Sequence, residues 1–72
     1  MTNFRRGEEV LITTYSPPEK AKVLDCYEVP FQQVPMTDPE MIKKYNGKNV
    51  PIVEVSLNGK IRSFVSEIVK KA

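Results

Sequence analysis

Val50-Pro51-Ile52-Val53-Glu54-Val55-Ser56-Leu57-Asn58-Gly59-Lys60-Ile61-Arg62-Ser63-Phe64-Val65 reads as a β-hairpin from its residues alone. Asn58-Gly59 supplies the two positive-φ positions of a type I′ turn, whose twist matches that of the strands it joins. A two-residue loop then sets the register: Leu57 faces Lys60, Val55 faces Arg62 and Val53 faces Phe64. Alternation puts these side chains on one face of the hairpin and Ile52, Glu54, Ser56, Ile61, Ser63 and Val65 on the other. The first face is core at its Val53, Val55, Phe64 end, with Lys60 and Arg62 lying over Leu57 toward the rim.

The chain around this hairpin has 72 residues, which makes one domain spanning 1–72. A domain of this size buries only about 60% of the surface its unfolded chain exposes. Ordering the chain costs on the order of 100 kcal/mol, so apolar burial leaves a narrow margin. The single Cys26 excludes an internal disulfide, and with no histidine in the sequence neither a structural zinc site nor any other metal or cofactor site is expected. Cys26 reads as a small buried apolar residue in a strand, a reactive thiol being the alternative. The start, Met1-Thr2-Asn3-Phe4-Arg5-Arg6, has no apolar core behind it. Neither an export signal nor a membrane span is therefore expected, and a free cysteine fits the cytoplasm. Eleven Lys and Arg against nine Asp and Glu give a net charge of +2, too small to argue for nucleic acid from composition.

Upstream of the hairpin, Gly7 marks the turn into a first strand over Glu8–Thr14, with Val10 and Ile12 on one face. Tyr15-Ser16-Pro17-Pro18-Glu19 breaks it, because two prolines remove two ladder donors. Strand character resumes from Lys20 to Glu28, with Ala21, Val23 and Asp25 pointing one way and Lys22, Leu24 and Cys26 the other. Tyr27 breaks the alternation, the mark of a curved or bulged strand. Val29 to Met36, with Pro30 and Pro35, is a loop or a proline-limited edge strand. Thr37-Asp38-Pro39-Glu40 starts a helix, with Asp38 as N-cap and Pro39 at the first position, or Thr37 as N-cap of a capping box. Asn46-Gly47 closes it after about two turns, too short to stand alone, so Met41, Ile42 or Tyr45 must pack on the sheet. After the hairpin, Ser66–Ala72 is either a helix or a one-turn kink followed by a last strand. The strand is the preferred reading, because Ile68 and Val69 could pair with the first strand and cover open edges.

No arrangement in this inventory carries catalysis. Ser-His and Cys-His couples need a histidine, Gly7, Gly47 and Gly59 are too scattered for a phosphate loop, and Glu8-Glu9 point to opposite strand faces. Asp25, Glu28 and Glu54 have no spacing that sets two of them around a substrate. The chain is therefore read as a non-enzyme, and three surfaces could bind. Tyr15-Ser16-Pro17-Pro18 is a proline-aromatic contact or a stiff connector. Tyr27, Phe31 and Tyr45 form an exposed aromatic cluster that holds a partner, or a satellite core joining the insert to the sheet. Arg5, Arg6, Lys60, Arg62, Lys70 and Lys71 form one basic patch if the chain ends lie side by side, or a scattered solvated surface.

Arg6-Gly7-Glu8-Glu9-Val10-Leu11-Ile12, Lys20-Ala21-Lys22-Val23-Leu24-Asp25, the Asn58-Gly59 hairpin and the closing Phe64-Val65-Ser66-Glu67-Ile68-Val69 together resemble an SH3-like small β-barrel. The resemblance implies about five strands with a short 3₁₀ turn before the last. Barrels similar in this way include nucleic-acid-binding KOW-type modules, small accessory subunits such as the peripheral SH3-like subunit of photosystem I, and short phage-encoded proteins. The sequence departs from them: Pro17-Pro18 stands where a KOW module has glycine, the tryptophan of peptide-binding SH3 domains is absent, and the insert from 29 to 49 matches none. The expected fold is mainly β, a small barrel with a short helix in an insert before the C-terminal hairpin, with an open α+β sheet as the alternative. The expected function is a non-catalytic protein-interaction module, an accessory subunit or small regulator or inhibitor of a larger complex, of the kind phages and mobile elements encode. Tyr27, Phe31 and Tyr45 would anchor a protein partner and Arg62 would rim them. The alternatives are a nucleic-acid-binding barrel using the basic set on phosphates, and a homodimer paired through strand edges.

Overall fold

The computed structural model describes residues 4–72 and is mainly β. Met1 to Asn3, part of the stretch read against an export signal, lie outside the described residues. In chain order come β1 (Glu9–Ile12), β2 (Glu19–Pro30), a 3₁₀ turn (Phe31–Gln33), α1 (Pro39–Tyr45), β3 (Asn49–Leu57), β4 (Lys60–Val65), a second 3₁₀ turn (Ser66–Ile68) and β5 (Val69–Lys71). The five strands form one antiparallel sheet in the order β4-β3-β2-β1-β5.

The hairpin has the expected register, from Ile52 opposite Val65 to Leu57 opposite Lys60. Asn58 and Gly59 take φ of 52° and 79° at its tip, as the primed turn requires. Ser66 to Lys71 is a turn and strand rather than a helix, and β5 lies along β1 with Val69 opposite Ile12. Thr13 holds that return in place, its backbone N–H and its hydroxyl both donating to the Ile68 carbonyl, at 2.8 and 3.0 Å.

Barrel closure is the point of correction. β4 pairs only with β3 and β5 only with β1, so the sheet is open, as the alternative reading had it. The reason is length: β5 is three residues long and spends its inner edge on β1, leaving nothing to reach β4. Covering the edge of β1 thus leaves β4 bare.

A second correction concerns β2. Val23 pairs with Val55 and Asp25 with Glu54, so Leu24 and Asp25 together oppose one residue of β3. This bulge reverses the alternation. Asp25 moves to the face of Glu54, and Cys26, opposite Val53, returns to the face of Val23, contrary to the simple reading of this strand. Beyond the bulge, Tyr27 and Val29 stand on the face of Ile52 and Val50.

Two apolar clusters follow, one on each face. The larger holds Val10, Ile12, Ala21, Val23, Val53, Val55, Leu57 and Val69, with Cys26 and Phe64 packed against it. The smaller joins Tyr45 of α1 to Val50 and Ile52 of β3, with Phe31, Val34 and Met41 around them. Full burial of a valine or isoleucine is worth about 1.5–3 kcal/mol. β3 alone places Val50, Val53 and Val55 at zero exposure and serves both clusters.

The insert is anchored as its sequence implies. The Asp38 carboxylate accepts from the Glu40 N–H at 3.0 Å, with Pro39 at the first helical position. Only Gly47 of the Asn46-Gly47 pair takes positive φ, at 77°. Asp38→Ala is expected to lower stability by about 1 kcal/mol, with Asp38→Asn recovering most of it, as read by urea denaturation.

Candidate functional site

The aromatic trio is divided by the fold. Tyr45 is 8% exposed and belongs to the smaller core. Its hydroxyl donates to Glu67 Oε1 at 3.1 Å, and the Lys44 ammonium pairs with the same carboxylate while lying 5.6 Å above the Tyr45 ring. Burial pushes the Tyr45 hydroxyl above its ordinary value, so the neutral, donating form is the one the fold holds. Tyr45 therefore fastens α1 to the turn before β5 and, nearly buried there, exposes little of the surface that the anchoring role expected of it would use. Phe31 is half-buried against the same cluster, its N–H donating to the Lys48 carbonyl at 3.1 Å. Tyr27 alone is exposed, at 38%.

Arg62 does not rim Tyr27. It opposes Val55, whereas Tyr27 opposes Ile52, and odd and even positions of β3 face opposite sides of the sheet. Arg62 instead lies beside Lys60 and Tyr15, whose ring meets Phe64 edge-on at 6.3 Å.

The six basic residues are also divided. Lys60 and Arg62 lie on β4 at one edge of the sheet, Lys70 and Lys71 on β5 at the other. Arg6 Nε donates to the Leu24 carbonyl at 3.1 Å, and the backbone N–H of Arg5 donates to Glu8 Oε1 at 3.0 Å. Lys71 lies 3.8 Å from the same Glu8. One patch would have required the barrel closure that does not occur.

What the fold does bring together is a groove. Gln33-Val34-Pro35, leaving the first 3₁₀ turn, stand beside the smaller-cluster face of β2, β3 and β4 and leave an open apolar trough of about 420 Å³. Tyr27, Val29, Val34, Ile52, Val65 and Ile68 line it. Ser63 and Val65 of β4 form its outer wall, so the trough runs to the bare edge of the sheet. In a hairpin with a two-residue loop, Leu57–Lys60, Val55–Arg62 and Val53–Phe64 are the hydrogen-bonded pairs. The main-chain groups of Ile61, Ser63 and Val65 therefore turn outward. Of the groove residues, the sequence had singled out only Tyr27. Ile61, Ser63 and Val65 were visible as one hairpin face, but nothing local marked that face as bordering a trough.

Among the described residues, no helix is long and apolar enough to cross a membrane. No protein-family model, no curated protein and no solved structure matches this chain.

Proposed function

We propose that the protein is a non-catalytic interaction module that takes an extended segment of a partner protein along β4, and so acts as an accessory subunit or small regulator of a larger complex in the cytoplasm. The observation that carries this reading is the coincidence of an unpaired strand edge with an apolar groove. An added strand gains affinity from main-chain hydrogen bonds, and alternate side chains entering a pocket supply selectivity. Tyr27 offers a large amphipathic surface at the groove mouth. Lys60 and Arg62 project from β4 with no ion-pair partner among the described residues, so a segment carrying acidic side chains beside its apolar ones complements this edge.

Peptides selected from a random display library against the purified protein, then titrated into the ¹⁵N-labelled protein, test this. Enriched sequences should alternate apolar and acidic residues and shift the amides of Ile61, Ser63, Val65 and Tyr27. Failure to enrich any peptide, or shifts confined to other surfaces, would refute the reading. The nucleic-acid alternative is checked in the same samples with short RNA and DNA. Its signature is a set of shifts on Arg5, Arg6, Lys60, Arg62, Lys70 and Lys71 that fades with salt, log K falling by about 0.7–0.9 per phosphate contact for each tenfold rise.

A further inference from the structure

The two edges of the sheet are treated differently by the sequence. β5 is three residues long and two of them are lysines, a common protection of an edge strand against pairing. β4 is six residues long and carries Ile61 with 69% of its surface exposed, the largest exposure of any large apolar side chain among the described residues. Only the odd-numbered positions of β4 have free main-chain groups, so a neighbouring antiparallel strand must place its own outward groups opposite Ile61, Ser63 and Val65.

β4 itself meets that condition. We propose that β4 pairs antiparallel with β4 of a second copy, about a two-fold axis through Ser63, joining two open sheets into one. In this register Ile61 opposes Val65 of the second copy and Ser63 opposes Ser63, which closes about six main-chain hydrogen bonds. On the groove face, Ile61 of one copy comes to rest against Val65 at the groove edge of the other. On the opposite face Arg62 lies against Phe64 of the second copy, whose ring already packs edge-on with Tyr15, a favourable cation–aromatic arrangement.

Charge selects this register over its neighbours. Moving the axis one residue toward the hairpin tip sets Arg62 against Arg62 of the second copy, and a further step sets Lys60 against Arg62. Like charges directly opposed across a ladder are destabilising. Moving the axis one residue the other way carries Ile61 opposite Glu67, beyond the end of the strand at Val65. Five paired residues make a small interface, so the dimer belongs to the weak and reversible class. The inference rests on β4 as the interaction element and adds that a second copy occupies it when no partner chain does.

Sedimentation equilibrium of the full chain tests it. The mean mass should rise toward that of a dimer between about 10 µM and about 1 mM, the range in which weak association becomes visible. Ile61→Lys should weaken association about tenfold or more, since it removes both of the Ile61–Val65 apolar contacts that flank the axis. Ser63→Pro should do the same by a separate route, removing an outward N–H without touching the β3–β4 ladder. Circular dichroism checks that both variants keep the fold. In a mixed sample of labelled and unlabelled protein, a short intermolecular contact between the Hα atoms of Arg62 and Phe64 should appear. A monomer at every concentration, a dimer indifferent to both substitutions, or intermolecular contacts in another register would overturn the proposal. A monomer that still binds selected peptides along β4 sinks the dimer alone. A dimer on whose β4 no peptide maps sinks the partner-chain reading alone.

Discussion

Ile12→Ala is expected to lower the unfolding free energy by about 3–4 kcal/mol, while Ile12→Val costs about 1 kcal/mol. Ile12 has no exposed surface, and on β1 it stands opposite Glu19 of β2 and Val69 of β5. It is the side chain around which the last strand returns to the sheet. Removing three carbons there leaves a void lined by valines of neighbouring strands, which are stiff at χ1 and cannot swing in to fill it. A 72-residue domain holds a total of about 4–10 kcal/mol, so the alanine variant loses a large part of what there is. Urea denaturation followed by circular dichroism reads this as a fall in midpoint at unchanged slope. A loss smaller than about 1 kcal/mol for the alanine variant would mean that β5 and its contacts contribute little, and the account of the larger cluster would have to be withdrawn.

Tyr45→Ala is expected to act differently, by releasing the insert while the sheet persists. The ring fills the smaller cluster and the hydroxyl ties α1 to Glu67, so its loss costs about 3 kcal/mol locally. Seven residues of helix have no independent stability to set against that loss. Amide hydrogen exchange should show the protection of 39–48 collapsing, while amides of β1, β2 and β3 facing the larger cluster retain theirs. Tyr45→Phe isolates the hydroxyl and should cost about 1 kcal/mol. Equal loss of protection across the whole sheet would show instead that the two clusters melt as one unit.

How much of this was legible in the sequence depended on whether the deciding interaction was local. Asn58-Gly59 and the alternation around it specify a hairpin because the turn and both strands are contiguous. Asp38-Pro39 announces α1 because capping involves neighbours in sequence. The return of Val69 to β1 was also readable, since a short apolar strand after the hairpin has few places to go. The bulge at Leu24 was foreshadowed only by an irregular pattern, because a bulge exists relative to a partner strand that β2 alone does not reveal. The groove was not legible, since it is created where Gln33-Val34-Pro35 come to lie beside strands far along the chain. The division of the sixfold basic set between two edges was not legible for the same reason. Its unity depended on two edges meeting, and a three-residue β5 cannot bring them together.

The extra residue in β2 has a consequence for how the insert is tied to the rest of the molecule. Up to Val23 the strand is in phase with one hydrophobic cluster, and from Tyr27 it is in phase with the other. A point substitution at Leu24 or Asp25 leaves that phase untouched, and deleting Leu24 would return the strand to a one-to-one ladder in which Cys26, Tyr27 and Val29 keep their present partners and faces. The attachment of the helical insert is therefore set by the pairing of Tyr27 and Val29 with Ile52 and Val50, so losing the extra residue should straighten the strand without turning either side chain to the other face.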